Sequence, residues 1–124
     1  MILIKSIILN IKGLMFYPFL FFYYMIISKE QKELITGDFY HWCIWLSRPR
    51  TYWGFVILFC ELKEFRSVVY KRLGWKKSLI SWLWKGQSNL TLACNHIGSG
   101  LIVQHGYCTV VCASSIGKNF HVNQ

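Results

Sequence analysis

A chain of 124 residues and 14.7 kDa has room for one ordinary domain. Hydrophobic residues make up 54% of it, aromatic residues 18% and charged residues only 15%, which excludes an intrinsically disordered segment. Fourteen Lys and Arg against five Asp and Glu give a net charge of +9, which favours acidic partners such as phosphates, nucleotides or an anionic membrane surface.

The charge is unevenly placed. Residues 1–64 hold all five acids (Glu30, Glu33, Asp38, Glu61, Glu64) and seven bases, whereas residues 65–124 hold seven bases and no carboxylate. Chemistry that needs an Asp or Glu in the last sixty residues cannot be completed from within that stretch. The cysteines number five (Cys43, Cys60, Cys94, Cys108, Cys112), and without a convincing secretory signal they fit a reducing cytosol better than a disulfide scaffold.

The first element is the apolar run Leu14–Ile27. A spanning helix wants about twenty apolar residues; Pro18 sits inside this run, and Lys5, Lys12 and Gly13 are expected to interrupt its extension toward Met1. A buried or membrane-leaning helix is therefore expected, with a true transmembrane or signal segment as the alternative, and a cytoplasmic chain held near an anionic surface by Lys5, Lys12, Lys29 and Lys32. Ile35, Phe39, Trp42 and Leu46 then recur at helical spacing, and Arg48-Pro49-Arg50 ends that element. A second stripe, Leu58, Leu62, Phe65, Val69 and Leu73, predicts another helix. Gly74 follows as a C-cap, with Lys71 and Arg72 in the last turn favouring the negative end of the helix dipole. Both stripes read as core.

Composition changes near Lys85. All six Trp precede it, and Gly86, Gly98, Gly100, Gly106 and Gly117 follow. A helical region over 1–85 and a differently built region over 87–124 are expected. In the latter, Ile97 and Val103 are six apart, as are Val110, Ile116 and Val122. One inward apolar residue every six, with turn-forming residues between, suits short strands in a β-solenoid; an antiparallel hairpin domain is the alternative.

The segments Ile97-Gly98-Ser99-Gly100-Leu101-Ile102-Val103-Gln104-His105-Gly106, Ala113-Ser114-Ser115-Ile116-Gly117-Lys118-Asn119 and Val122-Asn123-Gln124 together resemble bacterial serine O-acetyltransferases. Weaker likeness extends over about 30–75, including Lys32-Glu33-Leu34-Ile35, Asp38 and Glu64–Gly74. The resemblance implies an α+β fold: a helical N-terminal region followed by the first coils of a left-handed parallel β-helix, the hexapeptide-repeat solenoid. It implies acetyl transfer from acetyl-CoA to the L-serine hydroxyl in cysteine biosynthesis, with His105 as general base. Acetyl-CoA would enter as a co-substrate, with no permanently bound cofactor and no metal. Homotrimers, or dimers of trimers, would place His105 against a neighbouring subunit.

The chain departs from the family at two positions. Leu90 stands where an aspartate fifteen residues before the histidine orients the imidazole, and Gln104 stands where the preceding residue is often Asp. The family also continues for several coils past the matched stretch, which carry a second histidine and most cofactor contacts. An incomplete, weakly active or inactive member is therefore expected. A sugar or polysaccharide hydroxyl is the alternative acceptor, and a non-catalytic membrane-associated remnant is a further reading. Cys94, His96, His105, Cys108, Cys112 and His121 lack the paired spacing of zinc knuckles. The basic-aromatic stretches around Lys71–Lys77 and Trp82–Lys85 carry no recognised nucleic-acid motif, so no nucleic-acid partner is expected.

Overall fold

Helix α1 runs unbroken from Ile2 to Ile26 in the computed structural model, which describes residues 1–106 and 108–123. Lys5, Lys12 and Gly13, which interrupt the apolar run toward Met1, lie within the helix, as does Pro18. Lys5 and Lys12 are straight-chain residues with good helix propensity. Gly13 serves packing: a Cβ there would stand 2.9 Å from the Trp53 ring. Four residues of α1 are buried (Gly13, Phe16, Leu20, Tyr23), a single stripe at helical spacing.

Helix α2 (Lys29–Leu46) starts at a capping box. Ser28 Oγ accepts from Gln31 N, and the Gln31 side chain accepts from Ser28 N. It ends at Ser47 in the left-handed conformation, just before Pro49. Ile35, Phe39 and Trp42 are buried and Leu46 is half-buried, as their spacing predicts.

The second stripe is divided between two helices, α3 (Tyr52–Glu61) and α4 (Lys63–Leu73). The break falls at Leu62, whose backbone is extended (φ −108°, ψ 115°). Buried Arg66 compensates for it by donating to the carbonyls of Phe59 and Cys60, each at 3.0 Å, in the last turn of α3. Its Nε donates to Lys85 O at 3.0 Å. All five stripe positions still face the core, because α3 and α4 keep one inner side. Gly74 takes φ +60° at the end of α4, and a 3₁₀ segment, Gly74–Leu79, follows.

The last third holds four short strands among the described residues: β1 (Leu90–Ala93), β2 (Ile102–Gln104), β3 (Thr109–Cys112) and β4 (His121–Asn123). β1 pairs with β3 and β2 with β4, both in parallel, and Ile97 bridges Ile116 in parallel. The antiparallel hairpin alternative is thereby overturned. Leu90 lies opposite Thr109, Ile97 opposite Ile116 and Ile102 opposite His121, so every pairing joins residues nineteen apart.

The inward register differs from the expected six-residue series at one place. Val110 is 69% exposed, while its neighbours Thr109 and Val111 are half-buried. Val110 lies opposite Thr91, which is exposed like it, and the inward positions of the β1–β3 pair are Leu90 and Leu92 opposite Thr109 and Val111. Val103, Ile116 and Val122 keep the inner side. The fold is α+β, four helices followed by short parallel strands. Gln124, the last residue of the resemblance, lies outside the described residues.

Candidate active site

The turn that leads into β2 is held by the helices. Asp38 on α2 and Arg72 on α4 form a buried pair, with Nε–Oδ2 at 2.7 Å and Nη2–Oδ1 at 3.0 Å. Neither charge stops at its partner. Asp38 Oδ1 accepts from the backbone N–H of Gly100 (2.8 Å) and Leu101 (2.9 Å), and Arg72 donates to the carbonyls of Ile97 (2.6 Å) and Gly98 (2.7 Å). Trp42 Nε1 donates to Leu101 O at 2.8 Å, and His41 Nδ1 donates to Gly100 O at 2.5 Å. Four side chains thus satisfy the polar backbone of 97–101 where it packs on the helices, which unpaired burial would otherwise penalise. The contact is close: a Cβ on Gly37 would sit 2.6 Å from Ser99 Cβ. This cluster was not recognised in the sequence, although Asp38 lay inside the likeness; its signal is Asp38, His41 and Trp42 at i, i+3 and i+4 of one helix face.

His105 follows β2 directly. Its backbone takes φ +54°, an uncommon value in which His is enriched among non-glycine residues, and its side chain is exposed. No described residue hydrogen-bonds the His105 ring, so neither imidazole nitrogen is engaged by a described side chain. The adjoining Gly106 is buried beneath it, and a Cβ there would lie 2.8 Å from Val103 Cγ1 and 3.2 Å from Leu90 Cδ2. Leu90 therefore occupies the ground beside the His105 turn, and its methyls can only pack there.

Among the described residues no carboxylate hydrogen-bonds the His105 ring. Asp38 is committed to Arg72 and to Gly100 and Leu101, and Glu61 pairs with Arg48 at 2.7 and 3.1 Å. Gln104, next to the histidine, reaches strand β4 instead: His121 Nε2 stands 3.1 Å from its Oε1, and Trp45 meets the His121 ring at 5.0 Å. The candidate metal ligands are not brought together; among the described residues no three of His, Cys, Asp and Glu converge. Cys94 is buried, while Cys108 and Cys112 are exposed.

Two clefts flank the helices. One of about 210 Å³ is apolar and lies among α1, α2 and α3, floored by Phe39, Phe55 and Phe59. The other, of about 520 Å³, separates α4 and the 3₁₀ segment from β1; Lys71, Lys77 and Lys85 line it and no carboxylate does. His105 lines neither. Comparison with protein-family models, with curated proteins and with solved structures yields no match.

Proposed function

We propose that the chain is an acyltransferase of the hexapeptide-solenoid kind, transferring acetyl from acetyl-CoA to the hydroxyl of L-serine with His105 as general base. The observation that carries this reading is the constant nineteen-residue offset at three successive parallel pairings. Equal offsets around the chain are what coiling into stacked layers of short faces requires, here as the opening layers of a left-handed β-helix. His105 is then presented at a corner of the first layer, where an acceptor can reach it.

Chemically, the neutral imidazole takes the proton from the serine Oγ as that oxygen attacks the thioester carbonyl. The tetrahedral intermediate collapses to the serine acetate ester, and CoA leaves as thiolate and collects a proton. The likeness over 30–75 favours serine over a sugar hydroxyl as acceptor. Leu90 supplies no acceptor to fix the imidazole tautomer, so turnover is slow. Copies of the chain packed side by side as a trimer would close the site around His105.

A second reading is a membrane-associated protein without catalysis, favoured by α1. That helix is 25 residues long and apolar enough to cross a bilayer, or to serve as a signal, and only 11% of its most apolar window is buried. Release of CoA by the purified chain, with L-serine and with sugar acceptors, separates these readings. Slow serine-dependent release that falls at least about 100-fold in His105→Ala supports the transferase. Release that ignores His105 or serine, or none, overturns it.

A further inference from the structure

Residues 74–85 lie along α1. Tyr23 Oη donates to Lys76 O at 2.7 Å, Lys76 Nζ donates to Ile26 O at 3.4 Å, Phe16 meets Trp84 at 5.2 Å and Lys12 Nζ sits 4.4 Å from the Trp84 ring. The strap therefore runs antiparallel to the helix, from Ile26 back to Lys12, over about 21 Å. Both elements turn apolar groups outward. On the strap, Trp75 is 79% exposed, Trp82 71%, Leu79 55% and Leu83 45%; on α1, Leu14, Met15, Phe19, Phe21, Phe22 and Met25 are all exposed. Lys77 stands between Trp75 and Leu79 and Lys85 ends the strap; with Lys71 they line the carboxylate-free cleft.

We infer that α1 and residues 74–85 form one surface that lies in the plane of an anionic phospholipid bilayer, with Lys71, Lys77 and Lys85 holding lipid phosphates. The inference rests on the membrane association of the second reading above, not on its loss of catalysis, and decides the geometry of that association. Trp beside Lys is the composition of an interfacial layer, where the ring enters the acyl boundary and the ammonium meets the headgroup. Crossing is opposed by the strap. If α1 stood across the bilayer, the irregular backbone and lysines packed along residues 12–26 would be carried into hydrocarbon, which cannot satisfy lipid-exposed polar groups. Laid flat, the helix keeps its buried stripe on α3 and the strap and gives its outer side to lipid.

The test floats the full chain, carrying a cleavable N-terminal tag, with sealed vesicles of phosphatidylcholine alone or mixed with phosphatidylglycerol. Binding to the mixed vesicles is expected, with the tag still open to external protease. Trp75→Ser with Trp82→Ser should weaken binding about tenfold, since both rings are exposed and the fold does not need them. Lys71→Gln, Lys77→Gln and Lys85→Gln together should cut the preference for phosphatidylglycerol about a hundredfold. A protease-protected tag, or binding indifferent to both sets of variants, overturns the in-plane surface while leaving membrane association standing. Failure to bind either vesicle overturns membrane association itself.

Discussion

Replacing Arg72 by Met removes four hydrogen bonds from the junction between the helices and the strands. Two of these neutralise Asp38, which is 1% exposed, and two satisfy the carbonyls of Ile97 and Gly98. Methionine fills much of the arginine stem's volume, so the loss is electrostatic rather than steric. Breaking a buried pair by removing one partner costs about 3–5 kcal/mol, because the remaining charge stays buried without compensation. Asp38 keeps the N–H groups of Gly100 and Leu101, which places the expected cost near about 3 kcal/mol. For a chain of this size that lowers the unfolding midpoint by about 10 °C. Asp38→Asn with Arg72→Met should cost less than the sum of the single changes, since the second change removes the stranded charge. Urea unfolding followed by circular dichroism gives the energies, and limited proteolysis shows whether residues 87–124 detach first. A loss below about 1 kcal/mol for Arg72→Met, or strict additivity with Asp38→Asn, would refute the junction as described.

Leu90→Asp should raise serine acetylation at least about tenfold by placing a carboxylate beside the His105 turn; an unchanged or lower rate would show that this neighbourhood does not orient the imidazole. Gly100→Ala should destabilise by about 1–3 kcal/mol, because Gly100 takes φ +88° and a Cβ would collide with the Asn119 side chain; denaturant titration measures it. Burial pushes the Cys60 thiol up to about 11 and the Tyr52 hydroxyl up to about 12. The stability from keeping the Cys60 thiol neutral is complete below about pH 9 and lost as pH rises toward 11, with Tyr52 adding to the loss at higher pH. Cys60→Ala should flatten the fall between pH 9 and 11 in a stability–pH profile, and an unchanged profile would exclude the thiol.

Helical spacing alone identified the inner side of α2 and of the second stripe, because a 3.6-residue period needs no partner to be read. It could not show that the second stripe is two helices. Leu62 is apolar and carries no breaker signal, and the device that tolerates the break, Arg66 reaching Phe59 and Cys60, exists only once α4 folds back on α3. Lys5, Lys12 and Gly13 end the apolar run but not the helix, since a charge or a glycine lowers the mean hydropathy of a run without stopping the helix. In the strands, six-residue spacing pointed to the inner positions except Val110. Val110 shares the outward side with its partner Thr91, a pairing between distant strands that local spacing does not disclose. The Asp38–Arg72 junction joins residues 34 apart to a turn still further along, a long-range arrangement that local pattern cannot disclose.

The most direct test of acyl transfer is to incubate the full chain with labelled acetyl-CoA and L-serine and to identify the acetylated product by mass. His105-mediated transfer requires O-acetylserine that accumulates slowly with the native chain and falls at least about 100-fold in His105→Ala. The same amount of product from both chains, or none from the native chain, would contradict it.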